Sequence, residues 1–296
     1  MRLGFYIFYA FAWLISLLPF WLLHGVADFL FFVLYHVTGY RKDVTKKNLR
    51  NSFPEKDEKW IKDTTRKFYH NLADIIVEDI KVLTIPQKKL AKRYRYENLE
   101  LLESMAESGK SIILAVGHTS NWEWMGNTLA PMYPQYKGYA IVKPLANKQF
   151  DAFMNGLRNR YIKDSIIYMN DTLRTMVKRK KIVSLYAFAA DQTPSNPKAA
   201  YWGKFLNQDT PFYTGVEKLA RTLDFGVIFM RIYRERRGYY VGEMSLITDD
   251  AKATKENEIT EAYIQKLEDT IRKHPSDWLW SHRRWKHKRP QINKEE

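Results

Sequence analysis

The first forty residues differ from the rest of the chain in their pattern of hydrophobic and polar positions. Residues 3–23 form a run of 21 positions without a charged side chain, close to the about 20 apolar residues that a bilayer-spanning helix needs. Pro19 interrupts the run, and a shorter apolar run follows at 29–37. The pattern predicts a membrane anchor at 1–40, either a single kinked span, a re-entrant hairpin or helices lying in the interface. A buried core helix of a soluble protein is the alternative.

Basic residues follow this apolar region directly. They are Arg41, Lys42, Lys46, Lys47 and Arg50. Lys and Arg are in excess on the cytoplasmic side of membrane segments, and anionic headgroups attract each of them by about 1 kcal/mol. Because Arg2 is the single charge before the apolar run, the body of the protein is predicted to lie on the cytoplasmic side.

Beyond residue 40 the pattern alternates between helical and strand-like segments. Apolar side chains recur at helical spacing through 57–83 and predict a long amphipathic helix. Short apolar runs predict strands at 111–116, 138–142, 165–168, 182–187, 225–232 and 239–247, the last two joined as a hairpin. Further helices are predicted at 147–161, 171–179, 210–222 and 256–274. Strands that alternate with helices predict an α/β fold with a mostly parallel central sheet flanked by helices.

No repeat or low-complexity linker divides the chain after the anchor. The length of 296 residues suits one large domain or two small ones. We predict a single α/β domain at 41–296. Its parts are a helical lead-in at 41–95, a core at 96–250, and a C-terminal helix with a basic and aromatic tail at 251–296.

The net charge and the absence of cysteine limit the partners and the kinds of catalytic site that this chain can have. The chain carries 48 Lys and Arg against 33 Asp and Glu, a formal charge of +15. Such an excess favours an anionic partner, which is nucleic acid, an anionic lipid surface, an acidic protein or a phosphorylated substrate. The absence of cysteine excludes disulfides, thiolate nucleophiles and Cys-based zinc sites. The G-x-S-x-G and G-x-G-x-x-G motifs are also absent, and we predict neither a metal nor a bound cofactor.

One segment combines a strand end, a glycine and chemically competent side chains. After the predicted strand, Gly117 turns the chain and is followed by His118 and Glu123. Site residues of α/β proteins gather at the carboxyl ends of strands. With His118 in the turn and Glu123 in the first turn of the next helix, the two side chains can meet, and a carboxylate there would orient a general base. Alternatively, Ser120 and Glu123 form a helix capping box. The two interpretations are compatible.

The string His-Thr-Ser-Asn-Trp-Glu at 118–123 resembles the H-x-x-x-x-(D/E) signature of glycerolipid acyltransferases. More narrowly, the chain resembles the lipid A biosynthesis acyltransferases of the late lauroyl/myristoyl type. The order of motifs carries this resemblance: Asn48 to Pro54, the 118–123 string, Val142-Lys143-Pro144 with Asn147, Arg158 and Arg160, Asp191-Gln192, Phe205 to Ala220, and Trp278 to Lys286.

The resemblance implies an acyltransferase that moves a fatty acyl chain onto a hydroxyl of a membrane glycolipid, a lipid A precursor, at the inner membrane. It implies acyl carrier protein as the thioester donor, an acidic and transient partner. His118 is the implied general base and Glu123 its partner, without a covalent intermediate. The implied substrate-binding residues are Lys143, Asn147, Arg158, Arg160, Asp191 and Gln192. At Lys143 the family usually carries arginine, and lysine lacks the planar fork of donors.

Alternatives stay open at this point. Asp191 and Gln192 suit a turn, Arg158 and Arg160 suit a solvated helix, and the tryptophans of 278–286 suit either a membrane-interface belt or packing onto the body. A lysophospholipid or an aminoacyl lipid could be the acceptor. A nucleic-acid-binding protein would explain the charge and the aromatic content but would leave the apolar N-terminus unused. A non-catalytic membrane scaffold is the third rival. No nucleic acid partner is predicted.

Overall fold

The computed structural model describes residues 2–290. Two apolar helices begin the chain, α1 (Arg2–Leu17) and α2 (Phe20–Phe32), and α2 continues into a π-helical turn at Val33–Val37. They separate at Pro19, which is the N-cap residue of α2. Among the described residues, one helix, Phe20–Val37, is long and apolar enough to cross a membrane.

The rest of the chain builds an α/β domain. Its helices are α3 (Lys42–Ser52), α4 (Glu58–Lys81), α5 (Gln87–Ala91), α6 (Glu100–Glu107), α7 (Trp122–Leu129), α8 (Lys148–Arg158), α9 (Thr172–Lys178), α10 (Gly215–Leu223) and α11 (Glu258–Lys273). Its strands are β1 (Tyr94–Glu97), β2 (Ile112–Val116), β3 (Lys137–Val142), β4 (Ile166–Tyr168), β5 (Ser184–Ala189), β6 (Tyr201–Phe205), β7 (Gln208–Phe212), β8 (Gly226–Arg236) and β9 (Tyr239–Thr248).

Seven strands form the central sheet in the order β1-β9-β8-β2-β5-β3-β4. All neighbouring pairs are parallel except β8 and β9, which form an antiparallel hairpin. β6 and β7 form a separate antiparallel pair. The predicted fold, a mostly parallel central sheet flanked by helices, is therefore confirmed.

Two apolar cores lie on opposite faces of this sheet, because alternate residues of a strand point to opposite sides. Ile113 and Ala115 of β2 belong to one core, which includes residues of α4, α9, α10 and α11. Ile112, Leu114 and Val116 belong to the other, which includes residues of α1, α7 and α8.

The N-terminal helices contact the body along one side only. Leu23, Ala27, Phe31 and Tyr35 recur every four residues and are buried, and α2 packs against α4. On the outward side, Trp21 is 73% exposed. An apolar surface thus remains open along this helix.

The long helix predicted at 57–83 and the six predicted strands are present with boundaries shifted by a few residues. The helix predicted at 210–222 is wrong in its first part. Thr210, Pro211 and Phe212 are the buried end of β7, and helix α10 begins only at Gly215. The tertiary contacts of this short hairpin outweigh a local pattern that also suits a helix.

Candidate active site

The site lies at the carboxyl ends of β2 and β5, which are neighbours in the sheet. Val116 pairs with Ala189, so the residues that follow each strand meet at the same edge. Gly117 allows helix α11 to approach this turn, since a Cβ there would lie 2.6 Å from Leu267 Cδ1. A side chain at position 117 would therefore overlap Leu267, whereas Asp191 Oδ2, at 3.6 Å, would be at ordinary contact distance.

The His118 ring is held by Asp191. His118 Nδ1 lies 2.5 Å from Asp191 Oδ1, and the His118 backbone N–H donates to Asp191 Oδ2 at 2.9 Å. Trp278 Nε1 also donates to Oδ2, at 2.7 Å. Because the carboxylate accepts hydrogen bonds only, the proton on Nδ1 stays between ring and carboxylate, and Nε2 keeps its lone pair.

The charges of this pair shift both pKa values. Burial lowers the pKa of His118, but the negative charge of Asp191 and its hydrogen bond outweigh burial, and the pKa lies above its ordinary value. Burial raises the pKa of Asp191, but the charge of His118 and the donated hydrogen bonds outweigh it and lower the pKa to about 2. The pair therefore favours a carboxylate next to an imidazole that binds a proton readily.

Gln192 lies next to the other ring nitrogen. Its Nε2 is 3.2 Å from His118 Nε2, so a Gln192 N–H can donate to the lone pair that a general base would use. A substrate hydroxyl that donates its proton to His118 must take the place of this contact.

Glu123 makes no hydrogen bond or ion pair to the His118 ring, so the predicted direct pairing of the two side chains is not what the structure shows, although the negative charge of Glu123 also raises the pKa of His118. Both carboxylate oxygens accept from Arg158, with Nε to Oε2 at 2.8 Å and Nη2 to Oε1 at 2.5 Å. Burial raises the pKa of Glu123, but the Arg158 guanidinium outweighs burial and holds the pKa below its usual range. The carboxylate nearest to His118 in the sequence, Glu123, therefore pairs with Arg158. The His118 ring pairs instead with Asp191, which follows the neighbouring strand β5.

The capping box of Ser120 and Glu123 is also wrong. The N-cap of α7 is Asn121, whose side-chain oxygen accepts from Trp124 N at 3.0 Å. Ser120 has a positive φ of 49° and donates through Oγ to Asp277 Oδ2 at 2.8 Å. Glu123 is thus an ion-pair partner in the first turn and has no capping role.

A buried carboxylate of α4 supports the start of α7. Glu78 Oε2 accepts from Asn121 Nδ2 at 3.0 Å and from Tyr240 Oη at 2.5 Å. Glu78 Oε1 lies 3.3 Å from His24 Nε2 of α2. One side chain therefore joins α2, the cap of α7 and strand β9. Glu78 was not predicted as a site residue, because its only local signal in the sequence is a charged side chain within an amphipathic helix.

Asp79, next along α4, was also missed. Its Oδ1 atom is buried and has no hydrogen-bond partner within residues 2–290. Burial, together with the nearby carboxylates of Glu123 and Glu78, raises its pKa well above the ordinary value. The environment thus favours a neutral Asp79 close to the Glu123–Arg158 pair.

The C-terminal segment closes the back of the site. Leu279 N donates to the His118 carbonyl at 3.1 Å, and Ser120 N donates to the Asp277 carbonyl at 2.7 Å. Trp278 and Trp280 are 2% and 0% exposed. Of the two interpretations of these tryptophans, packing onto the body is therefore confirmed for both.

A cavity of about 690 Å³ opens at the site. His118, Glu123, Arg158 and Gln192 form a polar part of its wall. The rest is largely apolar and includes Leu114, Val116, Met125, Leu129, Ile141 and Leu185. The volume of this cavity is within the usual range of ligand sites. Because its few polar groups lie together and the rest of the wall is apolar, the cavity suits a long apolar chain that ends in a reactive polar group.

The other residues expected to bind substrate lie in different surroundings. Lys143 is exposed and lines the cavity. Asn147 is the N-cap of α8 and accepts from Gln149 N and Phe150 N, so its side-chain oxygen is engaged in the helix start. Arg160 is exposed, with its guanidinium 5.6 Å from the Tyr161 ring centroid. Of the two arginines, Arg158 alone lines the cavity, and its charge is balanced by Glu123.

Comparison with known proteins shows the family of the chain. Residues 1–287 match the family described as bacterial lipid A biosynthesis acyltransferase. The chain belongs to this family. It is therefore an acyltransferase. Among its relatives is the lipid A biosynthesis palmitoleoyltransferase of Escherichia coli strain K12, 22% identical over 249 residues that cover 83% of this chain and 79% of the relative. The lipid A biosynthesis acyltransferase of Shigella flexneri matches with the same identity and coverage.

Proposed function

We propose that this acyltransferase transfers a fatty acyl chain from an acyl carrier protein thioester to a hydroxyl of a phosphorylated membrane glycolipid, a lipid A precursor. The observation that carries the proposal is the His118–Asp191 pair at the polar end of the apolar cavity. Family membership supports the reaction class, and the names of the relatives support lipid A as the acceptor.

The acceptor hydroxyl donates its proton to His118 Nε2 as its oxygen attacks the thioester carbonyl carbon. Asp191 keeps the other ring nitrogen protonated and stabilises the imidazolium that forms. When the tetrahedral intermediate collapses, the carbon–sulfur bond breaks, and His118 returns the proton to the leaving thiolate. The acyl chain ends as an ester on the acceptor, and no covalent enzyme intermediate is required.

The negative charge on the carbonyl oxygen needs donors in the transition state. The first turn of α7 begins beside His118 and is fixed by the Asn121 cap. Backbone N–H groups at a helix start are free to bind an anion and lie at the positive end of the helix dipole. We assign the oxyanion to this turn. The Glu123–Arg158 pair forms the adjoining wall and supplies a fixed, nearly neutral polar surface.

The acceptor phosphate is assigned to the cations at the cavity. Lys143 is the exposed cation in the lining, whereas the charge of Arg158 is already balanced. Arg160 lies on the surface near the end of α8, where a large headgroup can reach it. The apolar outer surface of α1 and α2 would keep the body at the cytoplasmic face of the inner membrane, next to a lipid acceptor.

The test is a reconstituted reaction. The purified full-length protein in detergent is incubated with acyl carrier protein carrying a labelled acyl chain and with separate acceptors: a tetraacylated lipid A precursor, a lysophospholipid and an aminoacyl lipid. Mass spectrometry identifies the product. We expect an ester on the lipid A precursor. Product on another acceptor would replace the assigned substrate, and transfer from acyl coenzyme A alone would replace the assigned donor.

A further inference from the structure

Helix α9 presents an apolar stripe to solvent. Met169, just before the helix, and Leu173 and Val177 within it recur every four residues, and they are 42%, 53% and 52% exposed. Residues spaced by four lie on one side of a helix. Ile182, shortly after the helix, is 49% exposed. Large apolar side chains exposed side by side are unusual on a protein surface and mark contact sites.

Basic side chains flank this stripe. Between 171 and 182 the chain has five basic residues and one acidic residue, Asp171. Arg174 directly follows Leu173, and Lys178 directly follows Val177. Both basic side chains are exposed beside the apolar stripe. In the described part of the chain, the ion pairs involve other cations, such as Lys110, Arg158 and Lys252. The positive charge of Arg174 and Lys178 is therefore open to a partner.

This surface begins at the mouth of the catalytic cavity. Met169 and Thr172 line the cavity, and Thr172 is the first residue of α9. On the neighbouring helix α10, Gly215 and Val216 line it as well. A macromolecule seated on α9 would thus have the cavity opening beside it and could insert a chain without losing its contact.

We propose that α9, with its apolar stripe and the flanking Arg174 and Lys178, is the docking surface for the acidic carrier protein that delivers the acyl thioester. The proposal rests on the proposed function, which assigns such a carrier as donor. Opposite charges steer two proteins together and fix their orientation. The apolar stripe supplies the buried part of the contact, and the position beside the cavity suits a donor whose acyl group must reach His118.

Helix α9 packs on the edge strand β4, whereas the N-terminal helix α2, which joins the same core, lies toward the opposite edge of the sheet. Met176 of α9 packs into the core on the Ile113 side of the sheet, whereas α1 and α8 pack on the opposite side, where Phe8 contacts Phe153 with ring centroids 5.3 Å apart. α2 lies by the β8–β9 turn, near the other end of the sheet, where Arg237 donates to the His24 carbonyl at 3.1 Å. The exposed side of α9 is not covered by α1 or α2, so a soluble partner can reach it without displacing either helix.

The test compares two acyl donors for each variant of the full-length protein in detergent. One donor is the acyl carrier protein thioester, and the other is the same acyl chain on pantetheine, which lacks the protein. For Arg174→Glu with Lys178→Glu we expect KM for the carrier donor to rise about tenfold or more, with kcat and the kinetics of the pantetheine donor unchanged. Leu173→Ser with Val177→Ser should act in the same direction.

A matched control is Lys62→Glu with Arg66→Glu, which reverses the same two charges at the same spacing on the exposed side of α4. It should leave KM for the carrier donor within twofold. Unchanged kinetics with the carrier donor in both α9 variants would overturn the docking surface. If the α9 variants instead lose binding to anionic phospholipid vesicles while KM for the carrier donor stays the same, α9 contacts lipid and the proposal is also overturned. If the unaltered protein uses only the pantetheine donor, the assigned carrier and the docking surface fall together, and activity with neither donor contradicts the proposed function itself.

Discussion

Replacing Asp191 by asparagine tests whether the observed His118 partner is the one that acts in the reaction. In the structure, Asp191 accepts three hydrogen bonds, from the ring and backbone of His118 and from Trp278. Asparagine keeps the shape but has one acceptor oxygen and an amide that donates. An amide N–H facing Nδ1 would move the ring proton to Nε2, where the base needs its lone pair.

The expected loss of rate is large. A positioned general base contributes about 10²–10⁴-fold, and a ring in the wrong tautomer loses most of this, so kcat of Asp191→Asn should fall by about 10²–10⁴. Removing hydrogen bonds to a charged group costs about 1.5–3 kcal/mol each. The midpoint of thermal unfolding should therefore also fall, and rates must be measured well below that midpoint.

Trp278→Phe is the matched control. It removes one hydrogen bond from the same carboxylate, the 2.7 Å contact to Oδ2, and leaves the charge and the ring contact in place. We expect a loss of stability of about 1.5–3 kcal/mol, because one hydrogen bond to a charged group is removed. The loss of kcat should stay below about tenfold, because the Asp191 charge and its contact with the His118 ring remain. A large rate loss in both variants would point to general disorder of the site.

The pH profile gives a second measurement. His118 must be neutral to accept a proton, and its pKa is raised above 6.5 chiefly because Asp191 outweighs burial. Activity of the unaltered protein should therefore rise with pH through a value above 6.5. Without the Asp191 charge, burial and the Arg158 charge lower the pKa of His118 against the smaller effect of the Glu123 charge, and the residual activity of Asp191→Asn should begin at lower pH. If this variant runs at near the normal rate while Glu123→Gln is inactive, Glu123 is the partner of His118 and the geometry described above is not the reacting one.

Four further changes follow from other contacts. Glu123→Gln removes one charge of a partly buried pair, so we expect a loss of about 1.5–3 kcal/mol in the free energy of unfolding, measured by chemical denaturation, and a rate loss that is partly recovered at low temperature. Lys143→Ala should raise KM for a phosphorylated acceptor without changing the unfolding midpoint, and unchanged kinetics would clear Lys143 of a role. Glu78→Gln should lower stability by about 1–3 kcal/mol and reduce kcat more than it raises KM, as judged by steady-state kinetics beside thermal unfolding. Trp21→Ser with Phe29→Ser should release the protein from membranes in carbonate extraction while circular dichroism stays unchanged; full retention in the pellet would remove these residues from the membrane contact.

The local pattern of apolar residues predicted most of the helices and strands, but it could not predict which of them are neighbours in the fold. The strands at 112–116 and 184–189 were recognisable because they are short apolar runs, and Asp191 was expected at a strand end. Its contact with His118, 73 residues away, depends on β2 and β5 being neighbours in the sheet. Without the strand order, the carboxylate nearest in sequence, Glu123, was the natural choice of partner. The error therefore came from topology, while the residue types were recognised.

Elements with weak patterns were missed for a related reason. Strand β1 has four residues, and β7 contains Pro211, which cannot donate a backbone hydrogen bond. Both are held by contacts with distant parts of the chain: β1 pairs with β9, and Arg284 Nη2 donates to the Pro211 carbonyl at 2.7 Å. Such short segments gain their conformation from tertiary contacts, which a sliding pattern does not contain.

The polar residues within the apolar N-terminus show how the helix pair is placed. His24 Nε2 lies 3.3 Å from Glu78 Oε1, and Asp28 Oδ1 accepts from Arg237 Nη2 at 2.6 Å. In the hydrocarbon region such groups would be costly without partners, and here the domain supplies them. A bilayer span by α2 would have to give up these contacts and the buried stripe through Leu23 and Phe31. These contacts therefore oppose a single bilayer span by α2, and the other two anchor geometries stay predictions. Because Glu78 also accepts from Asn121, the same carboxylate links α2 to the N-cap of α7, the helix that follows His118.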